Sequence, residues 1–224
     1  MIKKLIKKIF NKQDPKFRVP RIFSNNELKK FAHFFEGKII NVSGWTDEDK
    51  QGGYYKDYFS KKSEYWISNF KSNQKGIVGQ ENEIFVDLEQ ELENKYIGKF
   101  DVAFNHTTLE HIYDFHKAFS NICKFSNDVV IIVVPYIQQI HGIRYSDYWR
   151  FTPHSVKKMY EYNGLTLRYC SANGSDKASI YLVCIGYRNL KWNKKIPKRF
   201  DLKINNSKEL YADNYSNIIG GNVV

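Results

Sequence analysis

Val129 to Val134 is an unbroken run of six β-branched apolar residues, closed by Pro135. A strand with one wetted face alternates apolar and polar side chains. A continuous run of this length reads as a strand covered on both sides, the inner strand of a parallel sheet. It falls far short of the roughly 20 residues needed to cross a bilayer. The rest of the chain must therefore supply helices for two faces.

The flanking pattern agrees. Lys38 to Val42, Glu64 to Phe70, Glu83 to Leu88 and Phe100 to Phe104 read as further strands, with Asp128 to Val134 the most apolar. Leu109 to Phe125 reads as a helix. Pro153 to Tyr162 reads as another, opened by proline in its first turn and closed by Asn163-Gly164. Leu165 to Arg168 and Ala178 to Tyr187 read as a closing strand pair. Ser24-Asn25-Asn26-Glu27 reads as the N-cap of a helix from Glu27 to Phe35. Strands alternating with helices predict an α/β fold: a mostly parallel sheet with helices on both faces. In such sheets ligands sit beyond the carboxyl ends of the strands, so each loop after a strand is a candidate site.

Charge marks the ends of the chain. The net charge is +11 over 224 residues. Lys3, Lys4, Lys7, Lys8 and Lys12 lie in the first twelve residues, and a second basic group spans Arg188 to Lys208. Ile2, Leu5, Ile6, Ile9 and Phe10 recur at helical spacing opposite the lysines, which predicts an amphipathic helix. It would pack on its own domain, on a second subunit in a homo- or hetero-oligomer, or on an anionic membrane surface. No recognisable nucleic-acid motif accompanies the charge, so a nucleic-acid partner is not expected. Three cysteines without pairing or metal spacing, and no secretory signal, point to a reducing, cytoplasmic setting, with peripheral contact at the inner membrane surface through Met1 to Lys12. The organisation read from these features is an arm over 1–33, a central domain over 34–188 and an irregular tail over 189–224. No His, Cys or Asp cluster has metal-ligand spacing, so no metal is expected.

Four stretches carry a resemblance. Ile39 to Asp47, Phe85-Val86-Asp87-Leu88, Lys99 to His111 and Asp147-Tyr148-Trp149-Arg150-Phe151-Thr152-Pro153 resemble the first motif, the third-strand loop, the fourth strand and the segment after the fifth strand of class I S-adenosylmethionine-dependent methyltransferases. The likeness is to those of bacterial surface-polysaccharide (capsule and lipopolysaccharide) clusters, and it spans about residues 34–187. It implies a Rossmann-like class I methyltransferase sheet, S-adenosylmethionine as cofactor, and methyl transfer to an oxygen or nitrogen of a small-molecule or glycan precursor. It also implies a glycine-rich turn at Ser43, Gly44 and Trp45 that aims helix N-terminal amides at the cofactor. Asn69 would meet the ribose, Asp87 and Leu88 the adenine, and Asn105 and His106 the sulfonium.

Two positions depart from the family pattern: Trp45 stands where a small residue is the rule, and Asn69 where the ribose carboxylate belongs. They leave a second reading open, a methyltransferase-like subunit that serves as a non-catalytic partner. In the loop after the fifth strand, His141 is the candidate base with Asp147 orienting it, and His106 is the alternative base. Tyr145, Tyr148 and Arg150 are candidate substrate contacts. Glu110 and His111 read as first-turn residues of a helix, with structural roles.

Overall fold

The computed structural model describes residues 15–71, 76, 78–142, 145–174 and 178–201. The amphipathic segment Met1 to Phe10 and the tail beyond Asp201 lie outside the described residues. Eight strands form one sheet: β1 (Glu36–Val42), β2 (Lys61–Asn69), β3 (Glu83–Phe85), β4 (Phe100–His106), β5 (Ser126–Ile137), β6 (Thr166–Ala172), β7 (Ile180–Tyr187) and β8 (Arg199–Phe200). Their order is β3-β2-β1-β4-β5-β7-β6-β8. β1 to β5 run parallel, and β7 enters antiparallel between β5 and β6. This is the α/β sheet that the strand pattern predicts. Val129 to Val134 lie at its centre, every one of them sealed from solvent.

Each face has its own core. On one, Ile40, Val42, Ala103, Val130, Ile132 and Cys184 meet helices α2 (Phe115–Phe125) and α3 (Pro153–Tyr162). On the other, Ile39, Val102, Phe104, Ile131 and Ile185 meet helix α1 (Pro15–Ala32), the Tyr55 to Phe59 segment and Trp192. The alternation along β1 and β5 sends neighbouring side chains to opposite cores. Tyr160 of α3 lies flat on β7, its hydroxyl donating to Val130 O at 3.1 Å. That seat exists because position 186 is glycine: a Cβ there would lie 2.3 Å from the Tyr160 ring.

Two helices differ from their expected extents. α1 begins at Pro15 and runs through Ser24-Asn25-Asn26 without stopping. Ser24 and Asn25 find tertiary partners in place of a capping role. Asn25 Nδ2 donates to Asp49 O (2.9 Å) and Gln51 Oε1 (2.7 Å), and Tyr55 OH donates to Asn25 Oδ1. The expected helix from Leu109 is broken in two. Leu109–His111 is a 3-10 turn, and α2 starts only at Phe115, capped by Asp114, which accepts from Lys117 N at 3.0 Å. The carbonyls of Glu110, Ile112 and Tyr113 turn to the 148–149 segment: Tyr148 N donates to Glu110 O, and Trp149 Nε1 to Ile112 O and Tyr113 O. β4 and β5 are longer than expected and carry Asn105, His106 and Pro135 inside them. Among the described residues no helix is long and apolar enough to cross a membrane.

Candidate functional site

The carboxyl ends of β1, β2, β4 and β5 share one edge of the sheet, and the first half of α1 lies over it. The chain leaves β1 under strain. Ser43, Trp45 and Asp47 all take positive φ, 58°, 49° and 62°, at about 1 kcal/mol or more for each non-glycine residue. The strain is held by β2. Ser43 N donates to Ser68 Oγ (3.1 Å), Gly44 N to Ser68 O (3.1 Å) and Trp45 N to Asn69 Oδ1 (2.7 Å). Gly44 is needed because a Cβ would lie 2.6 Å from Asn41 Nδ2. Asp47 is buried and accepts from Asn41 Nδ2 (2.7 Å), Tyr65 OH (2.7 Å) and Lys56 N (2.8 Å). Burial pushes its carboxyl up despite those three donors.

This corrects the reading of the first motif. Residues 43–60 hold no α-helix, only a β-bridge from Glu48 to Tyr54 and a 3-10 turn at Tyr55–Asp57. No helix starts within residues 43–60 to aim its N-terminus at the site, and the amides of Ser43, Gly44 and Trp45 face β2. Trp45 turns outward, 37% exposed, with Lys50 Nζ 5.1 Å from its ring centre. Asn69 is a clamp: Nδ2 donates back to Trp45 O at 3.1 Å and also to Glu83. Glu83 in turn accepts the amides of Val78, Gly79 and Gln80. Desolvation pushes its carboxyl up, but the Asn69 amide and these backbone donors outweigh it and hold it low.

Leu88 lies in the core, its carbonyl accepting from Asn121 Nδ2 at 2.9 Å. Asp87 is half-buried at the end of β3, with Oδ1 accepting from Glu89 N. Asn105 is fully buried where β4 meets β1. Its Nδ2 donates to Val42 O at 2.8 Å, while its Oδ1 has no hydrogen-bond partner among the described residues.

His106 is locked by α1. Arg21 Nη1 lies 2.8 Å from Nδ1, Ser24 Oγ lies 2.8 Å from Nε2, and Ser24 Oγ donates to Arg21 O at 3.0 Å. One proton arrangement satisfies all three bonds. Arg21 donates to Nδ1, Nε2–H donates to Ser24, and Ser24 donates back to the helix. Desolvation first, and then the Arg21 charge, drive the imidazole pKa well below its ordinary value. With Nδ1 accepting from Arg21 and Nε2–H donating to Ser24, His106 is an anchor with no lone pair turned to a substrate proton. The sequence offers Ser24 only as an N-cap and does not single out Arg21, although their i, i+3 spacing puts them on one helix face.

The loop after β5 gathers a second polar group. Asp147 is sealed under it. Its two oxygens take Arg150 Nη1 (2.5 Å) and Nη2 (2.7 Å), and Oδ2 accepts His141 N (2.9 Å). Burial opposes the charge, but Arg150 and His141 hold the carboxyl well below the usual carboxylate range. His141 Nδ1 lies 2.9 Å from Asp147 Oδ2, within ion-pair reach but off the line of a hydrogen bond. Arg150 also donates to the carbonyls of Gln138, Gln139 and Trp149. All five of its N–H groups are engaged, so it braces the loop and is not placed to take a substrate phosphate. Tyr145 and Tyr148 are exposed on the rim, Tyr145 edge-on to His111 at 4.3 Å.

Glu110 and His111 join this group. Glu110 is fully buried, and its carboxylate lies 3.7 Å from His111 Nε2. Burial pushes that carboxyl up to about 7. Thirty residues separate His111 from His141 in sequence, which is why spacing alone missed them. A cavity of about 260 Å³ lies at the opposite edge, lined by Glu36, Asp101, Asp128 and Lys195 among others. It is remote from all of these groups, and the polar chemistry at the carboxyl edge carries more weight.

No protein-family model matches the chain, and no curated protein matches it. Solved structures do match it. Magnesium protoporphyrin IX methyltransferase from Synechocystis PCC 6803, solved with bound SAM, superposes with a TM-score of 0.54 at 11% identity, over 82% of this chain and 89% of that one. The 1,6-didemethyltoxoflavin-N1-methyltransferase of Burkholderia thailandensis, solved with its substrate and S-adenosylhomocysteine, gives 0.52 at 14% identity, over 73% and 77%. A Haloferax volcanii protein in complex with the Trm112 methyltransferase activator gives 0.50 at 8% identity, over 77% and 96%. At these identities the likeness is one of fold.

Proposed function

We propose that this chain, whose sheet is that of the class I methyltransferases, binds S-adenosylmethionine over the ends of β1 and β4. It would methylate an oxygen or nitrogen of an acceptor seated against the loop after β5. The observation that carries the reading is Asn105 Oδ1, a buried acceptor without a partner among the described residues at the β1–β4 junction. A buried polar atom of this kind calls for a donor, and the ammonium of the methionyl group is one. Asn105 would hold that group, Asp87 the adenine amino hydrogens, and Ser43 and Leu88 would border the cofactor. Trp45 stands clear of this path. Ribose lacks a carboxylate partner, because the Asn69 amide is engaged by Trp45 and Glu83.

When bound, the cofactor supplies an electrophilic methyl group. The chain's own residues would orient the acceptor and receive its proton. His141, backed by Asp147 and Arg150, is the group for that task, and Tyr145 and Tyr148 offer ring faces to a sugar or other flat acceptor. A surface-glycan precursor as acceptor rests on the resemblance of Asp147 to Pro153 alone. The basic segment Met1 to Lys12 would add contact with an anionic membrane. Its deletion, or high salt, should then abolish sedimentation with anionic vesicles.

A second reading has its own support. The amides of Ser43, Gly44 and Trp45 are all taken by β2, which favours a methyltransferase-like subunit that stabilises a partner enzyme without binding cofactor. Calorimetry with S-adenosylhomocysteine separates the two: micromolar binding supports the enzyme, and no binding supports the partner.

A further inference from the structure

We propose that Glu110, His111 and His141 form a site for one divalent transition-metal ion, zinc or iron(II). One carboxylate oxygen and one ring nitrogen from each histidine lie within 4.8 Å of one another. Two imidazoles and a carboxylate suit these ions and leave coordination positions open for water or a substrate oxygen. Magnesium and calcium, which take oxygen shells, fit the set poorly.

Three observations point to an ion. Glu110 is fully buried, and neither carboxylate oxygen has a hydrogen-bond partner among the described residues. A buried carboxyl without donors either keeps its proton or meets a cation, and two imidazoles stand beside this one to help hold an ion. His111 has the outer partner that a metal-bound imidazole takes, and His141 lies beside one. His111 Nδ1 is 2.7 Å from Ser146 O, which turns Nε2 towards Glu110. His141 Nδ1 faces Asp147 Oδ2, and Asp147 is fixed by two bonds from Arg150. Finally, the ligands come from two supports, the 3-10 turn after β4 and the loop after β5. The backbone hydrogen bonds that Tyr148 N and Trp149 N donate to Glu110 O tie these together. Metal–ligand bonds of about 2.1 Å would bring the three atoms to roughly 3.0–3.5 Å apart. From separations of up to 4.8 Å that is a closure of at most about 1.3–1.8 Å, within reach of the three residues' side-chain torsions. The site does not depend on the methyl-transfer reading, but it revises one part of it: with Nε2 on the metal, His141 would have no lone pair for the acceptor's proton, and a metal-bound hydroxide would receive it instead.

The test uses the full chain and the metal alone. The protein is stripped with EDTA, then titrated with ZnCl2 by calorimetry and with CoCl2 by visible absorption. The structure predicts one equivalent bound, cobalt absorption bands of nitrogen and oxygen ligation, and a rise in melting temperature with zinc. His111→Asn and His141→Ala should each weaken binding at least tenfold, and Glu110→Gln should do the same if it folds. The His33→Ala/His116→Ala double variant, which removes two exposed histidines, should bind as the parent does. The proposal is overturned if folded parent protein binds no zinc. It is equally overturned if the His111→Asn/His141→Ala protein, shown folded by circular dichroism, binds as tightly as the parent.

Discussion

Asn69 holds Trp45 by its backbone, accepting the Trp45 N–H at 2.7 Å through Oδ1 and donating through Nδ2 to the Trp45 carbonyl at 3.1 Å. The side-chain amide mimics a strand neighbour, and it keeps a left-handed tryptophan in place at the mouth of β1. Asn69→Asp would remove the donor and set a second carboxylate against Glu83. It should lower stability by about 2 kcal/mol in urea unfolding and leave adenosine binding no stronger. On the family pattern alone, the same change would supply the ribose carboxylate. An unfolding midpoint equal to that of the parent would show that the clamp carries no energy.

Trp45→Gly tests the same loop from the other side. Trp45 is exposed, so no large cavity follows its removal, and glycine relieves a φ of 49°. The change should cost under about 1 kcal/mol, or stabilise slightly. A buried plug in the cofactor path would instead cost on the order of 3 kcal/mol. Thermal unfolding distinguishes these outcomes.

His106 makes the fold acid-sensitive. In the unfolded chain its pKa is about 6.5, and in the fold it is far lower. A depressed folded pKa contributes stability that is whole above the unfolded value. That stability is lost as pH falls from 6.5 towards the folded pKa, because only the unfolded chain takes up the proton. The loss is about 1.4 kcal/mol per pH unit in that window. His106→Gln should flatten this part of the stability–pH curve relative to the parent. Identical acid limbs would mean that burial and Arg21 do not hold the ring neutral.

Arg150→Met should be among the most damaging single changes, since it leaves Asp147 buried without its cation. A loss of 3–5 kcal/mol is expected, on the order measured for broken buried pairs. Arg150→Lys should recover only part of it, because one ammonium cannot replace a two-pronged bond plus three carbonyl contacts. Normal stability with a raised acceptor KM would instead make Arg150 a substrate ligand.

The sheet was legible because β5 carries a continuous apolar run and β1 and β4 carry shorter ones at Ile39-Ile40 and Val102 to Phe104, and burial on both faces leaves no other reading for Val129 to Val134. α3 was legible from Pro153 and Asn163-Gly164. The connections were less so. Ser24 and Asn25 have the composition of a cap, yet tertiary partners at His106, Asp49 and Tyr55 decide their conformation. The segment after β1 looked like a glycine-rich turn into a helix, but Asp47 and Asn69 fold it onto β2. Local pattern cannot report side chains that reach across 20 to 80 residues. The clustering of His111 with His141 and the cover of Arg21 over His106 are of that kind. Asp147 beside His141 was legible because both lie in one short loop.

Methyl transfer depends first on whether the cofactor binds over β1 and β4. Calorimetric titration of the full chain with S-adenosylhomocysteine, repeated on Asn105→Leu, addresses that directly. The account predicts one site at micromolar affinity in the parent, weakened at least tenfold in the variant as Asn105 Oδ1 is lost. No heat of binding from folded parent protein would contradict it, and would leave the chain a methyltransferase-fold partner without a cofactor.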